Sequence, residues 1–114
     1  MRVPQFAIIC LLATIGTATA ANPRLVLYNL TARKDFTGVY LAPPGTDNWG
    51  PNEALTDKDK SLDSDERLVL KDVNPGRFDL KLVDRRGRTC IIRNIDLAGE
   101  TSFDIRDEAL TDCQ

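Results

Sequence analysis

Arg77-Phe78-Asp79-Leu80-Lys81-Leu82-Val83 is the stretch whose alternation decides the fold. Phe78, Leu80 and Leu82 fall on one side, and Arg77, Asp79 and Lys81 on the other. A strand with one buried and one wet face demands this period of two. Asn74-Pro75-Gly76 just before it is a turn signal, with Gly76 free to take a positive φ. Just after it, Asp84-Arg85-Arg86-Gly87-Arg88 reads as a hairpin loop with Gly87 at the left-handed position. The chain returns as Thr89-Cys90-Ile91-Ile92-Arg93-Asn94-Ile95 and continues towards Leu97. Ala98-Gly99-Glu100 turns it again, and Thr101-Ser102-Phe103-Asp104-Ile105 alternates with Phe103 and Ile105 inward.

Upstream, residues 24–30, 37–42 and 66–71 are three further strand candidates. No stretch carries a 3.6-residue stripe, and residues 107–110 allow one helical turn at most. The pattern predicts an all-β fold: a single antiparallel β-sandwich of six to seven short strands, immunoglobulin-like or similar. Residues 43–65 form the one long connection. Connections of that length inside a compact domain carry function or conceal a strand.

Residues 1–20 read as a cleaved signal peptide. Arg2 precedes the apolar run Phe6-Ala7-Ile8-Ile9-Cys10-Leu11-Leu12-Ala13, and Ala18-Thr19-Ala20 supplies the small residues of a cleavage site. The run is too short to span a bilayer, so no membrane insertion is expected after cleavage. Residues 21–114 then form the single β-sandwich domain, periplasmic or secreted. Cys10 leaves with the leader, and Cys90 and Cys113 remain, with one possible pairing in an oxidising compartment. That disulfide is expected to be structural, because redox pairs sit close together as C-x-x-C.

The chain contains no histidine, which excludes Ser-His-Asp triads, Cys-His pairs and histidine-ligated zinc or haem. Without Arg2, 14 basic residues face 17 acidic ones, a balance of −3. Such a chain is not expected to bind nucleic acid. No nucleophile elbow, phosphate loop or metal quartet occurs, and no acidic pair sits in an apolar stretch that would raise one pKa. The protein is therefore not expected to be an enzyme.

Four segments resemble a known family. Val39-Tyr40-Leu41-Ala42-Pro43, Asp47-Asn48-Trp49-Gly50-Pro51-Asn52, Arg77-Phe78-Asp79-Leu80-Lys81 and Arg93-Asn94-Ile95-Asp96-Leu97 are similar, in this order, to a family of small exported bacterial β-sandwich proteins of uncharacterised function. Its members are often labelled hypothetical or Tat pathway signal proteins. The resemblance covers residues 24–105 and rests mainly on the W-G-x-N loop at Trp49-Gly50-Pro51-Asn52. It implies a β-sandwich in the bacterial envelope and carries no activity. The leader departs from the label, having one arginine and not two.

Three clusters are candidate sites. Trp49, with Tyr40 and Asn52, is the candidate partner-binding set: aromatic side chains stack on sugars or anchor protein partners. The alternative for Trp49 is a plug for one open end of the sandwich. Asp57, Asp59, Ser61, Asp63 and Asp65 alternate oxygen ligands before Glu66, a pattern that fits calcium. An EF-hand would need glycine at Leu62 and glutamate at Leu68, and neither is present. Arg85, Arg86 and Arg88 surround a hairpin glycine and are the candidate anion site. Asn29-Leu30-Thr31 matches a glycosylation sequon, which matters only in a eukaryotic secretory pathway.

These readings together predict a small non-catalytic interaction module of the cell envelope, without a cofactor, whose partner is a protein or glycan. The alternatives are a calcium-dependent carbohydrate- or surface-binding domain and an inhibitor of an extracytoplasmic hydrolase.

Overall fold

A computed structural model describes residues 23–114; the expected leader lies outside them. Six strands form at the six expected segments: β1 (Leu25–Asn29), β2 (Phe36–Ala42), β3 (Arg67–Leu70), β4 (Arg77–Asp84), β5 (Thr89–Asp96) and β6 (Ser102–Ile105). They build two three-stranded sheets, ordered β3-β1-β6 and β2-β4-β5. The ladders β1–β3, β2–β4 and β4–β5 are antiparallel, whereas β1–β6 is parallel. That one ladder departs from the wholly antiparallel sandwich expected. Parallel neighbours are joined through distant chain, so no local turn signal announces them.

The two inner faces meet in one core. Leu25 and Leu27 lie opposite Leu70 and Leu68, and Val39 and Leu41 lie opposite Leu82 and Leu80. Phe36, Leu62, Ile95, Leu97 and Ile105 complete the cluster. Leu27, Val39, Leu80, Leu82, Leu97 and Ile105 have no exposed surface. Each such side chain contributes about 1.5–3 kcal/mol by leaving water.

The turns follow the sequence with one exception. Gly87 takes φ 83° in the β4–β5 hairpin, and the Asp84 carboxylate accepts the N–H groups of Arg86 and Arg88 at 2.9 and 3.0 Å. Gly76 does not take a positive φ. It extends the β4–β5 ladder instead, exchanging backbone hydrogen bonds with Leu97. The long connection conceals no full strand. It holds a 3-10 turn, Glu53–Thr56, and Leu62, which exchanges two backbone hydrogen bonds with Phe36.

Asn29 secures the β1–β2 connection from inside. Its amide nitrogen donates to the carbonyls of Lys34 and Leu62 at 2.7 and 3.0 Å, and its oxygen accepts the N–H and hydroxyl of Thr31. With no exposed surface and both amide hydrogens engaged, Asn29 is not a glycosylation acceptor in this fold. At the far end, Cys90 and Cys113 form the expected disulfide. Thr89 and Gln114 exchange backbone hydrogen bonds, and Ile91 donates to Asp112, so residues 112–114 line the outer edge of β5. Among the described residues, no helix is long and apolar enough to cross a membrane.

Candidate functional site

The outer face of the β2-β4-β5 sheet carries an aromatic and cationic cluster. Tyr40 and Lys81 are directly opposed in the β2–β4 ladder. The Lys81 ammonium lies 4.7 Å from the centre of the Tyr40 ring and 5.0 Å from that of Trp49. One cation therefore serves two ring faces, each within the distance at which the ring quadrupole attracts it. All three side chains are half-buried. Trp49 lies over the sheet from outside and is not part of the core between the sheets, so it does not plug the sandwich. Gly38 makes the room: a Cβ there would stand 2.8 Å from the Tyr40 ring edge and 3.0 Å from Val83.

The loop that carries Trp49 is fixed at both ends. It opens with a type II turn in which Pro44 precedes Gly45 at φ 78°, closed by the Thr46 N–H on the Pro43 carbonyl. Gly50 donates to the Leu41 carbonyl at 2.8 Å, which draws the chain back along β2. Asn52 accepts the Val39 N–H at 2.9 Å and donates to the Thr37 carbonyl at 2.9 Å. It also accepts the Ala54 N–H and so caps the 3-10 turn. The Asn52 side chain is thus turned to the edge of β2, in the place of a neighbouring strand.

Asp79 is the anchor that the sequence reading missed. Alternation assigns it to the correct face, yet that face is covered here and Asp79 is 1% exposed. Its carboxylate accepts from Gly45 N–H at 2.7 Å, Arg93 Nη1 at 2.8 Å and Asn94 N–H at 2.8 Å. Arg93 reaches on to Asp47 at 3.0 Å. Asn94, at φ 56°, sits where the β4–β5 register shifts between Phe78 and Leu80. The bulge aims two donors at one carboxylate. Burial alone would raise the Asp79 pKa, but the hydrogen bonds from Gly45, Arg93 and Asn94 outweigh it and hold the group below the ordinary aspartate range.

The acidic run divides. Asp57, Asp59 and Glu66 bring carboxylate oxygens within 4.8 Å of one another. Ser61 and Asp63 turn to Arg85 instead, each 3.2 Å from its Nη2. Asp65 sits at φ 69° and spends its N–H on the Asn29 carbonyl. The five alternating oxygens of the expected calcium set therefore do not converge. The arginine set, Arg85, Arg86 and Arg88, stays together. All three line one hollow of about 350 Å³ with Arg33, Lys34, Asp35 and Asp84, but Arg85 is also paired with Asp35 and Asp63.

Comparison of the chain with protein-family models, with curated proteins and with solved structures gives no match.

Proposed function

We propose that this chain is a non-catalytic interaction module of an extracytoplasmic compartment, and that Tyr40, Lys81 and Trp49 form its contact surface for a protein or glycan. The observation that carries this reading is the single Lys81 ammonium held against two half-exposed rings. A rigid amphipathic surface of this kind presents area at little cost in side-chain entropy. Asp79 supports it, because a buried carboxylate tying Gly45, Arg93 and Asn94 together holds the loop in one position. The Cys90–Cys113 disulfide favours an oxidising compartment.

The test compares the wild-type protein with Trp49→Ala in cross-linked capture from envelope extract and on a glycan array. Both proteins are first matched by circular dichroism and thermal melting. A partner recovered by the wild type and weakened tenfold or more in Trp49→Ala is the expected result. A partner that binds both proteins equally, or no partner for either, would overturn the reading.

A further inference from the structure

The loop that carries Trp49 has a second side. There, a groove of about 710 Å³ opens between residues 43–56 and residues 71–78. Its walls are largely apolar, with Leu41, Pro43, Pro51, Val73, Pro75 and Phe78 among them. Glu53 also lines it and is only 8% exposed. Burial first, and the Asp72 carboxylate second, push the Glu53 pKa above the ordinary glutamate value. None of the ion pairs among the described residues involves Glu53.

Two cations share the groove. Arg77 is turned to Asp96 and the Asn94 carbonyl, and Lys71 is exposed at the rim. A carboxyl out of water beside a second carboxyl, and in no ion pair, is costly for folding. Groups so placed in a cleft mark functional sites. An occupant with an aliphatic body for the walls and a positive head for Glu53 and Asp72 would complement the groove.

We propose that this groove binds a lysine or arginine side chain of a partner polypeptide, its stem along the Pro51, Val73 and Phe78 walls and its cationic head at Glu53 and Asp72. A hydrocarbon stem with a charged tip is how both residues bury area without losing their charge to an apolar medium. The head also relieves the repulsion between the two carboxyls. This site is separate from the Tyr40–Lys81–Trp49 face, and the two stand or fall independently.

The experiment selects random heptapeptides displayed on phage against the purified, disulfide-intact protein, then titrates the enriched peptides by calorimetry. Enriched sequences should share a lysine or arginine, and its replacement by norleucine should weaken binding tenfold or more. Glu53→Gln should weaken it by a similar factor, while Trp49→Ala leaves it unchanged. Glu53→Gln keeps the side-chain shape; should it not fold, Asp72→Asn takes its place. In the wild type, carbon-detected NMR should show the Glu53 carboxyl titrating at lower pH once peptide is bound. No enrichment, enriched peptides without a basic residue, an unmoved Glu53 titration, or a diamine binding as tightly as the best peptide would each overturn the proposal.

Discussion

Asp79 and Glu53 are both carboxylates withdrawn from water, and their surroundings push them in opposite directions. Asp79 receives three donors, so its folded-state pKa lies below the unfolded value of about 3.9. The stability it confers is present above pH 4 and is lost as pH falls through its depressed pKa. Asp79→Asn turns an amide hydrogen towards those donors and should cost about 2 kcal/mol in a urea titration at pH 7. The Arg93 pair contributes little of that, its guanidinium being half-exposed. The gap between variant and wild type should close below pH 4. Glu53, raised by burial and by Asp72, has the opposite sign. Its ionisation makes the fold less stable as pH rises from about 4.3 through its raised pKa. Glu53→Gln should therefore be more stable than wild type at pH 7, with the gain vanishing below pH 4. A variant less stable than wild type at pH 7 would contradict this assignment. Neither environment could be read from the sequence. The alternation that places Asp79 opposite the core says nothing of a loop folded over that face.

At the scale of elements, Gly38 and the disulfide make separable predictions. Gly38→Ala drives a Cβ against Tyr40 and Val83. The Tyr40 ring must yield, so Trp49 fluorescence and the Lys81 side-chain shifts should change even where the melting temperature moves by only a few degrees. Unchanged spectra would mean that the three side chains do not act as a unit. Cys90→Ser with Cys113→Ser opens a cross-link spanning 23 residues and should cost about 3 kcal/mol. Amide exchange should accelerate first at Thr89 and Ile91, whose N–H groups bond residues 112–114. Exchange rising equally at Leu80 and Leu82 would show that the edge is not a separate unit. The strands β4 and β6 were legible because each pairs period-two alternation with its own turn signal. The edge of β2 was not, because Asn52 does through a side chain what a strand does through backbone. The divided fate of the acidic run was equally hidden: Arg85, more than twenty residues away, draws Ser61 and Asp63 out of it.

Across the whole molecule, the two proposed contact surfaces share one loop with two sides, while the hollow lined by Arg33, Lys34 and the hairpin arginines lies elsewhere. The net charge of −2 coexists with a basic hollow at the β4–β5 hairpin, so composition does not locate a site. The pairing of β1 has a consequence in time. Leu27 faces Leu68 on one side and Phe103 on the other, so both neighbours of β1 are made long after it. The β4–β5 hairpin closes through a short loop and can form early, whereas contacts between distant segments form slowly. Pulse-labelled amide exchange during refolding should therefore protect β4 and β5 before β1 and β6; protection of β1 first would contradict this order. A chain interrupted anywhere before residue 102 leaves one flank of β1 bare, a template for pairing with other chains. The molecule completes its earliest strand only when its latest has been made.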